Sequence, residues 1–281
     1  MTNIERGSLG ILAMLVAGAV LVPLAAQQDP LAIDAVLGAR LVGPLGTDDA
    51  GRFHLLGTDR FGRDLFVRMM LAGRLSLAIG VGGSLLAGVI GVAVGAASGW
   101  WRGLLDRLSM AAADAMLAIP RLILLLLCAA LFGPGTLTVV TVLAATGWMG
   151  VARLVRAEVM GARGRQWVDA AHALGSRPGR VLARHVLPNA LGPAIVATTL
   201  GVGNAILLES GLAFLGLGVQ PPNPSWGNMI AGGRDLIVTA PWVAIAPGLA
   251  LVITVLSCTL LGDAWRDRLA GETSTTLRDR A

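Results

Sequence analysis

The stretch from Gly83 to Gly99 reads GSLLAGVIGVAVGAASG, and it decides the class of fold. It holds no charged residue, and small residues recur at every fourth position, at Gly83, Ala87, Gly91, Gly95 and Gly99. Residues four apart lie on one face of an α-helix, and small side chains there let a second helix backbone approach closely. The stretch therefore predicts an apolar helix that packs by this face within a polytopic membrane bundle.

The composition of the whole chain also indicates a membrane protein. Of 281 residues, 55% are hydrophobic and 14% are charged, whereas a soluble domain carries about 25% charged residues. Apolar runs of roughly 20 residues recur, and a helix of that length spans the ~30 Å hydrocarbon core of a bilayer. Cys128 and Cys258 each lie inside such a run. We expect them to be buried hydrophobic residues rather than a disulfide or a metal pair.

The apolar runs predict an all-α bundle of about six transmembrane helices, each bounded to within about three residues. The predicted spans are 9–26, 75–99, 111–132, 136–153, 191–217 and 241–262. The first span, with Arg6 before it and Ala25–Ala26 at its end, also resembles a secretory signal peptide. Pro23 and the lack of a clean small-x-small site favour an uncleaved anchor.

Arginine alone supplies the cations of this chain, whose net charge is +5. With both termini cytoplasmic, fourteen arginines fall inside and seven outside, if Arg121 within a span is left out. The positive-inside rule favours this orientation, although the outer loop 27–74 is itself rich in arginine. A nucleic-acid partner is not expected, because it would need a basic face on a soluble domain. No segment between the spans is long enough to fold alone.

This orientation divides the chain into three parts. Residues 1–73 form an anchor helix and an extracytoplasmic segment, and residues 74–265 form the transmembrane core. The core carries a cytoplasmic loop at 156–190, and residues 266–281 form a cytoplasmic tail.

The cytoplasmic loop contains a polar stretch, Trp167 to Asn189, that reads WVDAAHALGSRPGRVLARHVLPN. Its sequence predicts one helix from Gln166 to Leu174, ended by Gly175 in a left-handed cap. Ser176 is the predicted N-cap of a second helix, with Pro178 in its first turn. The second helix runs to Leu187, and Pro188 marks a break before the fifth span. The result is a compact two-helix hairpin. DNA-binding helix-turn-helix units share this outline, and an ordinary loop without a partner is a further alternative.

Three motifs carry a resemblance to a known family. Asp169-Ala170-Ala171, then Gly175 and Leu187-Pro188, resemble the coupling loop of ATP-binding-cassette (ABC) importer permeases. The stretch LGTDRFGRD at 56–64 is similar to the segment before the second span of peptide and nickel permeases. FLGLGVQPP at 214–222, followed by PSWG at 224–227, is similar to the end of their fifth span. The resemblance covers about residues 55–265 and is to the second-permease type of the oligopeptide, dipeptide and nickel systems.

The resemblance implies a type I ABC importer permease fold in a bacterial inner membrane. It also implies a homologous second permease, two ATPase subunits and an extracytoplasmic substrate-binding protein as partners. ATP and magnesium would bind to the ATPase subunits, with no cofactor on this chain. The implied cargo is peptide, with nickel or another small solute as the alternative. The implied ATPase-coupling residues are Asp169, Ala170, Ala171, Gly175, Ser176, Leu187 and Pro188. The family usually has Glu at the position of Asp169, so the side chain here keeps the charge but is one methylene shorter.

Four polar residues within the spans are candidates for the pathway or for bundle packing, because ionisable groups in a membrane are costly. They are Asn204, Glu209, Ser210 and Asp114. We expect Asp114 to be a satisfied interfacial carboxylate near Arg107 or Arg121. Glu209 lies deeper, and lining a substrate path and holding helices together remain open roles for it.

No catalytic constellation is expected. Without lysine the chain cannot form a phosphate-binding Gly-Lys-Ser/Thr loop, so it is not expected to hydrolyse ATP. His172 and His185 lie on different helices of the hairpin, which argues against a metal site. A secondary transporter or channel would favour inverted repeats, and none is evident in the sequence. A membrane scaffold without transport remains a third class.

Overall fold

The computed structural model describes residues 3–26, 31 and 36–278. These residues form a helix bundle. A small loop module, residues 36–64, lies at one end of the bundle, and a polar hairpin lies at the other. The helices are α1 Asn3–Ala25, α2 Val36–Ala39, α3 Leu65–Trp101, α4 Gly103–Leu117, α5 Arg121–Phe132, α6 Thr136–Arg163, α7 Gln166–Ala173, α8 Pro178–Val181, α9 Leu187–Phe214, α10 Trp226–Gly233 and α11 Trp242–Arg278. Two short strands, β1 Gly46–Thr47 and β2 Phe53–His54, pair antiparallel.

The described residues contain five helices long and apolar enough to cross a membrane, or six spans if α4 and α5 count as one. The five runs are Glu5–Ala25, Leu65–Trp101, Thr136–Arg163, Pro178–Phe214 and Trp242–Leu269. The predicted all-α bundle of about six spans is confirmed. Several helices extend well beyond their predicted bounds, and α11 continues to Arg278.

The third span is not the single helix predicted at 111–132. It consists of α4 and α5, which bend by 88° across a short break. Pro120 lies in the break at φ −54° and ψ 124°, outside the helical region. Proline has no N–H to donate, and its ring clashes with the preceding turn, so α4 cannot continue through this position. The apolar composition located the end of this span at Phe132, but it predicted neither the start at Gly103 nor the bend.

The break predicted at Pro188 is also wrong. Residues Leu182–Val186 form a π-helical turn that leads directly into α9, with Pro188 in the first turn of that helix. The N–H of Leu187 donates to the carbonyl of Leu182, five residues back. This wider turn accommodates the proline ring and keeps the helix continuous. The second arm of the hairpin is therefore one rod with the fifth span.

The small-residue face of α3 packs within the bundle, as the sequence predicts, and its partner is α6. A Cβ added at Gly91 would lie 2.6 Å from the Cβ of Val151, and one at Gly95 would lie 2.4 Å from the carbonyl oxygen of Ala152. Gly83 and Gly99 approach α6 in the same way. This close approach joins the second half of α3 to α6.

The loop module lies where α3 begins. Asp64 caps α3 by accepting a hydrogen bond from Val67 N at 2.9 Å, and it also contacts His54 Nδ1 at 2.7 Å. The Thr58 hydroxyl accepts a hydrogen bond from Val42 N at 2.8 Å. Burial works to raise the pKa of Asp48, but hydrogen bonds from Arg52 outweigh it and hold that pKa below its usual value. The module is thus held together by its own polar contacts and joined to α3 through Asp64.

Candidate functional site

The polar hairpin begins at the end of α6 and contains α7, a tight turn and α8. Gly175 has φ +79°, in the left-handed region that favours glycine, as the sequence predicts. Its N–H donates to His172 O at 2.9 Å, and Ser176 N donates to Ala171 O at 3.1 Å. These two bonds form a Schellman motif, which satisfies the last carbonyls of α7. Gly175 therefore sets the sharp turn between the two helices.

Ser176 does not cap the second helix as predicted. The N-cap position of α8 is Arg177, which makes no side-chain capping bond. Ser176 instead completes the end of α7 through its backbone N–H. The Schellman motif needs one residue after the glycine, so α8 starts one position later than the sequence suggested.

A row of aliphatic side chains attaches the hairpin to the bundle. Val168 of α7 and Val181 of α8 are buried, and Val186 of the π-helical turn is buried with them. They belong to one core cluster that also contains Val155 and Val159 of α6. Because both arms of the hairpin share this core, a force on the hairpin reaches α6 directly.

Trp100 extends this attachment to the end of α3. Its ring is 5% exposed, packs in the same cluster, and lies 6.2 Å from the His172 ring, centroid to centroid. Arg163 donates to the Trp100 carbonyl at 2.7 Å, and its guanidinium lies 5.9 Å from the centre of the indole. The sequence did not single out Trp100. Its position directly after the small-residue face and close to the cytoplasmic loop could have identified it as a contact between α3 and the hairpin.

The tip of the hairpin presents a mixed polar and apolar surface. Asp169, Ala170 and Gly175 are exposed, and Ala171 is partly buried. Asp169 makes no ion pair within the part of the chain that the structure describes. Leu174 is 86% exposed, although leucine is usually buried. The tip thus combines the carboxylate of Asp169, an exposed leucine and small alanine and glycine residues. Such a surface is suited to docking against another protein. The sequence reasoning missed Leu174.

Leu187 and Pro188 lie away from this tip. Leu187 is partly buried against the core cluster of the hairpin, and Pro188 is exposed in the first turn of α9. The structure therefore places them at the base of the hairpin. The predicted coupling role of these and the other hairpin residues remains a prediction.

The four polar residues of the spans do not form one site. Asp114 is exposed on α4 and pairs with Arg153 of α6, not with the predicted Arg107 or Arg121. The 88° bend between α4 and α5 separates Asp114 of α4 from Arg121 of α5. Asn204 is exposed on α9. Their roles remain predictions.

Glu209 of α9 is completely buried. Its Oε2 accepts a hydrogen bond from the Ser210 hydroxyl at 3.4 Å, and the Ser225 side chain lies close to the carboxylate. Ser225 is the N-cap of α10 and accepts a bond from Asn228 N at 3.2 Å. Glu209 Oε1 has no hydrogen-bond partner in this structure. Glu209 of α9 thus faces the start of α10, which favours a role in holding these two helices together.

We expect Glu209→Gln to keep the thermal stability of the protein near that of the wild type, because glutamine fills the same space and can still accept the hydrogen bond from Ser210. Glu209→Leu should lower the melting temperature in detergent by several degrees, since it leaves buried hydroxyls unpaired. Normal stability with lost transport in Glu209→Gln would contradict the packing role and favour a place in the substrate path.

Comparisons with known proteins agree with this architecture. Residues 89–274 match the family described as "Binding-protein-dependent transport system inner membrane component". A relative from Brucella suis, named as a peptide transport system permease protein, is 40% identical and covers 78% of this chain and 74% of its own length. The dipeptide transport system permease protein DppC of Alkalihalophilus pseudofirmus is 39% identical and covers 77% of this chain and 71% of its own length.

The fold itself has a solved counterpart. A structure of the MetNI methionine ABC transporter in an inward-facing conformation superimposes with a TM-score of 0.56 and 22% sequence identity. The match covers 73% of this chain and 96% of that chain. The helix bundle with its attached hairpin is thus a type I ABC importer permease fold.

The chain belongs to the family of inner membrane components of binding-protein-dependent transport systems. It is a multi-pass membrane protein and a transport permease subunit. This membership supports the importer permease over the secondary transporter or channel that the sequence left as an alternative.

Proposed function

We propose that this chain forms half of the translocation pathway of an ATP-driven importer of dipeptides and oligopeptides. A homologous second permease would complete the pathway, and two ATPase subunits would bind ATP and magnesium and hydrolyse the nucleotide. An extracytoplasmic binding protein would deliver the substrate. The names of the relatives support the peptide cargo. Nickel and other small solutes are alternative cargoes.

The observation that carries this proposal is the exposed hairpin tip on a rigid base. Asp169, Ala170 and Leu174 face outward, while Val168 and Val181 fix the hairpin to α6. An ATPase subunit that docks on this tip can therefore move the bundle when it closes. To change a 1:99 ratio of two conformations to 99:1, the contact must supply about 5.5 kcal/mol of differential binding. This alternating access would drive import.

The test is uptake into proteoliposomes that contain the complete transporter, the binding protein and internal ATP. We expect labelled dipeptides to accumulate and nickel to remain outside. Accumulation of nickel without peptide would contradict the proposed cargo while leaving the importer assignment intact.

The proposed orientation places both termini and the hairpin in the cytoplasm. We expect Ser176→Cys and Asn223→Cys, each in a chain whose Cys128 and Cys258 are replaced by serine, to label from opposite sides with a membrane-impermeant maleimide. Asn223 should react in intact cells, and Ser176 should react only after the membrane is opened. Equal labelling of the two positions from outside would contradict the topology.

A further inference from the structure

A cleft of about 490 Å³ lies at the end of the bundle opposite the hairpin. One wall is the stretch 59–68, which leads from the loop module into α3, and the other is the stretch 221–223. Met229 of α10 and Val243 of α11 also line it. The cleft thus lies between the start of α3 and the loop that follows α9. Under the proposed orientation it opens to the extracytoplasmic side.

Positively charged side chains outnumber negatively charged ones on the first wall. Arg63 and Arg68 share the same oxygen of Asp59, at 2.8 and 2.9 Å. Asp59 Oδ1 accepts backbone hydrogen bonds from Phe61 at 2.8 Å and Arg63 at 3.1 Å, so the carboxylate is fully used. Arg60 is exposed and makes no ion pair among the described residues. Among the described residues that line the cleft, three guanidiniums stand against one carboxylate, which leaves two excess positive charges. Asp64 belongs to the same stretch but is not a lining residue, and it pairs with His54.

The positive groups are held in place before any ligand arrives. The Phe61 ring lies between Arg60 and Arg63, whose guanidinium carbons are 4.8 and 4.6 Å from its centre. On the other wall, the Asn228 side chain donates to Asn223 O at 2.9 Å and closes a capping box with Ser225. Because both walls are fixed by their own contacts, binding in the cleft orders few side chains.

We propose that this cleft receives an acidic side chain from the extracytoplasmic binding protein that delivers the substrate. This inference rests on the proposed function. Guanidinium groups match carboxylates in shape and charge, and a single guanidinium such as that of Arg60 can bind a carboxylate through two parallel N–H···O bonds. The second wall, formed by Pro221, Pro222 and Asn223, adds no charge that would repel it.

The charges favour a protein side chain over a free peptide as the occupant. A free peptide carries an ammonium group as well as a carboxylate, and the ammonium would need its own acceptor. Asp59 is the one carboxylate among the described residues that line the cleft, and it already accepts four hydrogen bonds. An acidic side chain on a partner surface brings negative charge without an ammonium. Docking there would align the binding protein over the mouth of the bundle.

The test uses the complete transporter in proteoliposomes and the binding protein that stimulates its ATPase. In Arg60→Glu, we expect the concentration of binding protein that gives half-maximal stimulation to rise by about tenfold. The maximal rate should remain unchanged, because Arg60 is remote from the hairpin. Raising the salt concentration should weaken the wild type more than the variant, since screening removes the attraction.

The matched control is Arg40→Glu, which makes the same change of charge on an exposed residue of the loop module outside the cleft. It should keep the wild-type half-maximal concentration. Equal values for Arg60→Glu and Arg40→Glu would overturn the inference. A change in binding of alanyl-alanine to the complex alone, without the binding protein, would make the cleft a substrate site and also overturn it. A wild-type complex that no binding protein stimulates would instead contradict the proposed function.

Discussion

Replacing Gly95 with leucine is expected to prevent stable assembly of the bundle. Even one added carbon at this position would lie 2.4 Å from the carbonyl oxygen of Ala152 and 3.0 Å from its Cα. Backbone atoms cannot rotate away, so α3 and α6 must separate. Overpacking of a core costs about 1–3 kcal/mol and occasionally more, and we expect alanine to fall in this range and leucine to exceed it. Gly91, with 2.6 Å to Val151, should behave in the same way.

The measurement is the yield of assembled, membrane-inserted complex and its melting temperature in detergent. Gly82→Leu is the matched control, because it lies on the same helix and an added Cβ there meets nothing within 4 Å. It should assemble normally. If Gly95→Leu assembles and transports as well as Gly82→Leu, the small-residue face does not hold the two helices together.

Replacing Gly175 with valine is expected to uncouple ATP hydrolysis from transport. The position has φ +79°, where a β-branched residue costs about 1–3 kcal/mol, although an added Cβ meets nothing within 4 Å. The cost is therefore conformational, and the turn should open and move the hairpin tip. We expect a loss of peptide transport of at least about tenfold with normal insertion, because no span is altered. The isolated ATPase subunits should keep their basal hydrolysis.

The experiment compares substrate-stimulated ATPase activity and ATPase-subunit binding in reconstituted complexes. Gly179→Val is the control for added bulk, since Gly179 also has free space around it but has no positive φ. Wild-type coupling in Gly175→Val would mean that the hairpin is an ordinary loop.

Asp169→Ala tests the charged contact of the same surface separately. Alanine is the better helix former, so α7 should remain folded. The exposed carboxylate is lost, and the variant should bind ATPase subunits more weakly and transport less. Asp169→Glu, which keeps the charge and adds one methylene, should restore much of the binding. Full transport by Asp169→Ala would show that the docking surface does not need this carboxylate.

Much of the fold could be predicted because it follows from local rules. The four-residue spacing from Gly83 to Gly99 identified both the helix and the face that packs, since small residues in a membrane helix have one main use. The left-handed conformation of Gly175 followed in the same way from a glycine at the end of a helical stretch.

The wrong predictions of helix breaks and ion pairs lie where one residue type is compatible with two local backbone structures. Pro120 bends a span by 88°, whereas Pro188 leaves a helix continuous because a π-helical turn precedes it. The sequence near each proline does not reveal which outcome tertiary packing selects. Partners that depend on such geometry, such as Arg153 for Asp114, were out of reach for the same reason.

The helix α3 connects the two ends of the molecule without interruption. It starts at the Asp64 cap beside the arginine-lined cleft and ends at Trp100 and Trp101 beside the hairpin. Its 37 residues span about 55 Å, and its glycine face joins it to α6 along the way. It can therefore act as a lever, because a tilt of about 10° displaces one end of a rod of this length by about 10 Å relative to the other. Movement of the hairpin and binding in the cleft would then both change the tilt of α3, so each end of the helix would respond to events at the other.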